Sequence, residues 1–223
     1  MSKSAIILLS GGLDSATVLA LAKSSGYDCY ALNINYQQRH SAELHYAKRL
    51  AEFYEVKEYK VVDIDLSWLS SSSLTNKTMD IPEIPSVGIP STYVPARNTM
   101  MMTLALAWAE TINCSDIFIG VNAIDYSGYP DCREEYIHSF EKMANLATKK
   151  GVEGSKIYIN APLIKMNKSE IIKLGLEHEV DYSMTVSCYQ PSKDGHACGK
   201  CDSCRLRREG FQKLGVKDPT LYM

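Results

Sequence analysis

The chain has 223 residues, of which 45% are apolar, and this is enough for one large domain or for one domain with a small appendix. Its formal charge of −2 argues against a large non-specific nucleic-acid surface. The first apolar run, residues 5–9, is too short for a signal peptide or a membrane span, so we expect a cytoplasmic protein with no membrane partner.

A glycine turn between a strand and a helix opens the chain. The apolar residues 5–9 predict a buried strand, and residues 16–22 predict a helix. Between them stand Ser10, Gly11, Gly12, Leu13, Asp14 and Ser15. Two adjacent glycines allow positive φ angles and close approach of an anion, and the first amides of a helix lie at the positive end of its dipole. These residues 10–15, the phosphate turn, are therefore predicted to bind phosphate.

This turn differs from a Walker A sequence, because no lysine follows its second glycine. Asp14 beside a phosphate implies a cation between the two, so we expect Mg²⁺. For the glycine pair alone, an ordinary strand-to-helix turn with Asp14 as the N-cap is an open alternative.

The full string resembles the PP-loop of the ATP pyrophosphatases, which split ATP between its α- and β-phosphates and adenylate a substrate. The resemblance implies catalytic roles for Asp14 and Ser15. It also implies a nucleotide-binding segment that consists of Leu9, Ser10, Gly11, Gly12, Leu13, Asp14, Ser15, Ala16, Thr17, Val18 and Leu19.

Strands and helices alternate along the rest of the chain. Further strands are expected at residues 28–35, 58–64, 116–121 and 157–159, and further helices near 41–54, 96–111, 134–149, 170–179 and 205–214. The βαβ spacing predicts an α/β fold with a Rossmann-like parallel sheet and helices on both faces. Because such sheets bind ligands at the carboxyl ends of their strands, residues 32–35 are a candidate adenine wall.

Arg97 and Lys165 are candidate catalytic cations, because the phosphate turn itself contains no lysine. Arg97 falls in the first turn of a helix just after Pro95, where a cation is poorly matched to the helix dipole. That placement indicates an anion opposite Arg97. Lys165 stands between a predicted strand and a predicted helix. An exposed position at the surface is the alternative for both side chains.

Residues 122–133 follow the fourth predicted strand and contain two carboxylates, two tyrosines and an arginine. A carboxylate can accept hydrogen bonds from both N–H groups of a guanine-like edge, and tyrosines can stack on the ring. The substrate-binding candidates are Tyr126, Tyr129, Asp131 and Arg133. A tyrosine-rich surface turn is the alternative.

Seven cysteines, an odd number with four near the end, argue against a disulfide framework and for a metal site. The four are Cys188, Cys198, Cys201 and Cys204. Three of them have C-x-x-C-x-x-C spacing, so the set can surround a tetrahedral Zn²⁺. A redox pair, an iron–sulfur cluster, or His196 in place of one sulfur are alternatives.

We therefore predict an ATP-binding domain over residues 1–182 and a small zinc-binding region over residues 183–223.

Taken together, these motifs resemble the 7-cyano-7-deazaguanine synthase family of queuosine precursor biosynthesis. The motifs are the phosphate turn, residues 93–98, residues 120–133 and the four cysteines. The resemblance implies an adenine nucleotide alpha hydrolase-like fold and a ligase that uses ATP with Mg²⁺ and carries Zn²⁺. Its substrates would be 7-carboxy-7-deazaguanine and ammonia, its products 7-cyano-7-deazaguanine, AMP and pyrophosphate, and its intermediates an adenylate and an amide. A homodimer is also implied.

Two other functions compete with this one. A tRNA thiolase would have a similar phosphate turn and would use its cysteines for sulfur transfer. A nucleic-acid-binding protein could use the four cysteines as a zinc knuckle, although the near-neutral charge argues against nucleic acid as a partner.

Overall fold

The structure, a computed structural model, describes residues 3–37, 42–84, 88–125, 128–192 and 194–223. The strands are β1 (Lys3–Leu8), β2 (Tyr27–Asn35), β3 (Glu58–Asp63), β4 (Asp116–Phe118) and β5 (Tyr158–Asn160). The helices are α1 (Leu13–Ser24), α2 (Ala42–Phe53), α3 (Arg97–Thr111), α4 (Glu134–Ala147), α5 (Lys149–Val152), α6 (Lys168–Glu177) and α7 (Asp202–Leu214). In the described part of the chain, no helix has the length and apolar content that a bilayer crossing requires.

All five strands are parallel and form one sheet in the order β3-β2-β1-β4-β5. From the central strand β1 the chain runs to β2 and β3 on one side and then crosses to β4 and β5 on the other. Leu8 of β1 pairs with Leu32 of β2, and Ile7 pairs with Phe118 of β4, so three carboxyl ends meet at one edge. This is the topological switch point, where open α/β sheets bind their ligands.

Helices cover both faces of the sheet, as predicted. Ile6 and Ile7 of β1 point to opposite faces and belong to two separate apolar clusters. The cluster around Ile6 includes Met102 of α3 and Phe140 of α4. The cluster around Ile7 includes buried residues of α1, α2, α6 and α7. The predicted fold class is confirmed.

Several predicted boundaries are wrong. The helices expected over 170–179 and 205–214 span Lys168–Glu177 and Asp202–Leu214. Two further differences have a clear local cause. The fourth strand was expected over residues 116–121 and ends at Phe118. There Gly120 packs against the start of α1, where an added Cβ would lie 3.2 Å from the nitrogen of Ser15. The helix expected over residues 134–149 breaks at Thr148, whose hydroxyl accepts a hydrogen bond from the N–H of Gly151 and caps α5.

The C-terminal region packs on the helices that cover the sheet. At Gly210 of α7 an added Cβ would lie 2.7 Å from Ile172 of α6, so the two helices approach closely. The chain end pairs with the cysteine region, since the N–H of Ala197 donates to the oxygen of Leu221 at 2.8 Å. The division into residues 1–182 and 183–223 stays a prediction.

Candidate active site

A cavity of about 230 Å³ lies where the carboxyl ends of β1, β2 and β4 meet. Part of the predicted nucleotide-binding segment lines it, namely Leu9, Ser10, Gly12, Leu13, Asp14 and Ser15. The rest of that segment packs elsewhere, Gly11 against α2 and Ala16, Thr17, Val18 and Leu19 within the buried side of α1. Leu32, Asn33 and Ile34 of the candidate adenine wall also line the cavity. Nucleotide binding by these residues stays a prediction.

The phosphate turn requires glycine at position 11. Gly11 has a φ of +86°, and a Cβ there would clash with the backbone oxygen of Glu43 in the first turn of α2. The N-terminus of α2 thus packs directly on the turn. Gly120, two residues after β4, packs against the turn from the other side.

Asp14 does not cap α1. The N-cap is Gly12, and no side chain provides a cap hydrogen bond. The hydroxyl of Ser15 donates to the oxygen of Gly12 at 3.0 Å and accepts from the N–H of Ser10 at 3.2 Å, which closes the turn. The N-cap role that this alternative gave to Asp14 is therefore wrong, and phosphate binding by the turn stays a prediction. Asp14 lies in the first turn, at the positive end of the α1 dipole.

A buried ion cluster joins the phosphate turn to the first residue of α6. The ammonium of Lys168 donates to the two carboxylate oxygens of Asp14 at 2.7 and 2.9 Å. It also lies 3.5 Å from Oδ2 of Asp125. Burial raises the pKa of Asp125, and the charge of Lys168 opposes that shift. One buried cation therefore faces two carboxylates at the edge of the cavity.

Lys165, the predicted catalytic lysine, does not line the cavity. Its side chain is 74% exposed and forms an ion pair with Glu134 at 2.9 Å. Among the described residues the lysine that lines the cavity is Lys168, three residues later, which sequence reasoning missed. A signal was available, because Asn167 and Glu170 form a capping box that places Lys168 in the first turn of a helix. A cation at that position is mismatched to the dipole and needs an anion.

Arg97 lines the cavity, as expected for a residue that faces an anion. Its Nη1 donates to the hydroxyl of Tyr36 at 3.1 Å, and its guanidinium lies 5.6 Å from the centre of that ring. Tyr36 is buried at the end of β2 and holds the guanidinium in place.

Of the predicted substrate-binding residues, the structure brings Tyr129 to the cavity. Its hydroxyl forms a hydrogen bond of 2.6 Å with that of Thr92. Arg133 is exposed and donates to the backbone oxygen of Pro130, away from the cavity. Tyr126 lies outside the described residues.

Asp131 is buried but does not line the cavity. Its carboxylate accepts from the N–H of Asn98 at 3.1 Å, and the amide of Asn98 donates to the backbone oxygen of Asp131. Because α3 has no side-chain cap of its own, Asp131 stabilises its first turn from a distance of 33 residues along the chain. Asp131 therefore positions the turn that carries Arg97.

Glu43 is a second cavity-lining residue that sequence reasoning missed. It lies in the first turn of α2, over the phosphate turn. Burial raises its pKa to about 7, and the charge of Arg97 opposes the shift. No sequence signal indicated this, because the position of Glu43 depends on how α2 packs on Gly11.

We expect Glu43→Gln to stabilise the ligand-free protein at pH 8 and to have little effect near pH 4.5. A carboxyl whose folded pKa is raised binds more protons in the native state, so wild-type stability falls as the pH rises from about 4.5 to about 7. The amide that replaces the carboxyl in the variant does not titrate, so the stability of the variant does not fall over this pH range. Thermal unfolding at both pH values should show a Tm increase of at least about 2 °C at pH 8, corresponding to roughly 1 kcal/mol in a domain of this size. The exposed Glu52→Gln on the same helix is the control, and a Tm difference that is constant with pH would contradict the assignment.

The four late cysteines form a buried cluster. Their sulfur atoms all lie within 4.8 Å of one another, and Cys198 and Cys204 are 3.9 Å apart. A tetrahedral zinc with bonds of about 2.3 Å requires sulfur separations of about 3.8 Å. Backbone amides donate to the sulfurs, for example Cys198 N–H to Cys188 at 3.1 Å. The cluster therefore fits a thiolate-bound metal. His196 is exposed and is not part of this set.

Comparisons with known proteins identify the family of the chain. The family model of the queuosine biosynthesis protein QueC matches residues 4–215. The chain is 60% identical over 220 residues to the 7-cyano-7-deazaguanine synthase of Pseudomonas fluorescens (strain SBW25), covering 99% of this chain and 98% of that protein. It is 60% identical over 222 residues to the protein of the same name from Methylobacillus flagellatus, with 100% and 97% covered.

Among solved structures, NMN synthetase from Francisella tularensis is similar, with a TM-score of 0.52 and 19% identity. The match covers 97% of this chain and 79% of that one, and at this identity it supports the fold alone. The family assignment rests instead on the full-length matches. The chain belongs to the family of the queuosine biosynthesis protein QueC.

Proposed function

We propose that the chain is an ATP-dependent ligase that converts 7-carboxy-7-deazaguanine and ammonia into 7-cyano-7-deazaguanine, with release of AMP and pyrophosphate. The observation that carries the proposal is the convergence of a glycine turn, a helix N-terminus and the buried Lys168 on one cavity. The family membership and the names of the relatives support it. We also propose that the enzyme is cytoplasmic and homodimeric and that it binds no nucleic acid.

The phosphate turn and Lys168 would hold the pyrophosphate portion of ATP. The turn offers amides at the positive end of the α1 dipole, and Lys168 offers a full charge. The end of β2 would hold the adenine. There the amide nitrogen of Asn33 is buried beside the cavity without a hydrogen-bond partner among the described residues, so it can donate to a ring nitrogen.

Two metal ions fit the residues that are present. Asp14 would hold Mg²⁺ together with the phosphates, since Mg²⁺ is usually bound by one or two carboxylates and by substrate oxygens. When bound, the ion would neutralise charge that develops on the pyrophosphate. The four cysteines would hold Zn²⁺, and four protein ligands leave no open position for chemistry, so this ion would be structural.

The proposed reaction has two activation steps. The substrate carboxylate attacks the α-phosphate of ATP and pyrophosphate leaves, and ammonia then displaces AMP to give the amide. A second ATP adenylates the amide oxygen, and loss of AMP with two protons leaves the nitrile. Because AMP is a good leaving group, the residues must mainly orient the reactants and neutralise charge.

Arg97 and Tyr129 are the proposed substrate contacts. Arg97 is held by Tyr36 with its charge at the cavity, so it can pair with the substrate carboxylate or with the α-phosphate. Tyr129 forms part of the cavity wall and can pack against the deazaguanine ring of the substrate. Asp131 and Arg133 are proposed to support this wall rather than to contact the substrate.

The product test decides between this function and others. The purified protein is incubated with ATP, Mg²⁺, ammonium and 7-carboxy-7-deazaguanine, and products are identified by mass spectrometry. We expect 7-cyano-7-deazaguanine with two AMP and two pyrophosphate per nitrile, and only the starting acid when ATP is omitted. Release of ADP, or no nucleotide product, would overturn the proposal.

A further inference from the structure

The segment 185–188 connects the cysteine cluster directly to the phosphate turn. The N–H of Val186 donates to the backbone oxygen of Gly11 at 3.0 Å. The N–H of Leu13 donates to the hydroxyl oxygen of Ser187 at 3.1 Å. The next residue is Cys188, a buried member of the cysteine cluster. A single peptide bond therefore separates a metal ligand from a residue that contacts the turn.

The hydroxyl of Ser187 lies over the turn and borders the cavity. An added Cβ on Gly12 would lie 3.6 Å from this oxygen, so the hydroxyl stands directly against the glycine. Because the oxygen accepts from Leu13, its own proton points elsewhere, and the described residues offer it no hydrogen-bond acceptor. A proton donor fixed at the edge of a phosphate turn is suited to an anionic oxygen.

Ser187 is held in this position from both sides. Thr185, two residues earlier, accepts a hydrogen bond of 2.7 Å from the buried Arg207 of α7. Cys188, one residue later, accepts one of 3.1 Å from the N–H of Cys198. These contacts anchor the segment to α7 and to the cysteine loop, so little ordering is needed when a ligand arrives.

We propose that Ser187 is a phosphate-contacting residue that the metal-binding region supplies to the nucleotide site. Its hydroxyl accepts from Leu13 and donates to an oxygen of the pyrophosphate group. The cysteine cluster then contributes to the ATP site, because Cys188 is one of the proposed metal ligands and the cluster fixes the position of the adjacent Ser187. This inference rests on the proposed nucleotide function.

The test measures binding and not turnover. Isothermal titration with magnesium pyrophosphate and with α,β-methylene ATP is carried out on wild type, Ser187→Ala and Ser183→Ala. Ser183 is an exposed serine two residues before this segment and serves as the matched control. We expect Ser187→Ala to weaken the binding of both ligands at least about ten-fold, as the loss of a hydrogen bond to a charged group does, and Ser183→Ala to bind as wild type. Metal content should not change in either variant, Ser183→Ala should keep the wild-type Tm, and Ser187→Ala should lose no more than the few degrees expected for one hydrogen bond, the one that Leu13 donates.

A second pair of variants separates contact from structure. Thr and Val have the same shape, but Thr alone keeps the hydroxyl. Ser187→Thr should therefore bind at least five-fold more tightly than Ser187→Val, even if both variants lose some stability. Equal affinity in wild type and Ser187→Ala, or in the Thr and Val variants, would overturn the inference. Absence of binding in wild type would instead overturn the proposed nucleotide function.

Discussion

Lys168→Met should release pyrophosphate about a hundred- to a thousand-fold more slowly than wild type, whereas Lys165→Met should keep most of the activity. Removal of one preorganised electrostatic contact to a transition state costs about 10²- to 10³-fold, and Lys168 carries a full charge in a buried setting. Its loss also leaves Asp14 and Asp125 to repel the phosphates. Lys165 pairs with Glu134 at the surface, where such pairs contribute little.

The measurement is the initial rate of pyrophosphate release with substrate and saturating MgATP. Because Lys168 is paired with buried carboxylates, its removal should also lower stability by about 3–5 kcal/mol. Rates are therefore compared well below the Tm of each variant, with circular dichroism as the check of folding. An inactive Lys165→Met together with an active Lys168→Met would return the catalytic role to Lys165.

Features that depend on local sequence could be predicted. The glycine turn between β1 and α1, the parallel sheet and the clustering of the four cysteines each follow from sequence spacing that has a physical cause. A five-residue apolar run followed by two glycines specifies a strand and a turn, and C-x-x-C-x-x-C brings three sulfurs together in almost any compact loop. The position of residues 32–34 at the cavity also follows, because strand order determines which carboxyl ends meet, whereas adenine binding there stays a prediction.

Features that depend on the path of the chain between elements could not be predicted. Asp131 was expected to contact the substrate, but it stabilises the start of α3, because that helix has no cap of its own. Glu43 reaches the cavity only because α2 packs on Gly11. Lys168 could have been predicted from the sequence. Like Arg97, it is a cation in the first turn of a helix, and the capping box that Asn167 begins marks the start of that helix.

Cys201→Ser should abolish stoichiometric metal binding and destabilise the protein by at least about 3 kcal/mol. Zinc sites of this type contribute about 10–16 kcal/mol in isolated peptides, so even part of that contribution is large. Cys201 has no exposed surface, and it is the N-cap of α7. Loss of the metal would release the start of α7, and with it the packing of Phe211 against Tyr182.

Metal content measured by mass spectrometry and Tm measured by circular dichroism test this prediction. Cys29→Ala is the matched control, because Cys29 is equally buried but lies on β2, and burial raises its thiol pKa to about 12. We expect this control to keep its metal and to lose only the stability of one packed side chain.

A further variant, Cys188→Ser, distinguishes a structural metal site from sulfur transfer. A thiolase-like mechanism needs a reactive cysteine, so Cys188→Ser would then be folded and metal-loaded but inactive. If the metal site is structural, Cys188→Ser instead loses metal and stability, and its activity is lost as a consequence. Because Cys188 is adjacent to Ser187, loss of the metal should also weaken pyrophosphate binding while the α/β sheet is still folded. A metal-free protein with wild-type affinity for pyrophosphate would show that the cysteine cluster stabilises its own loop and contributes nothing to the nucleotide site.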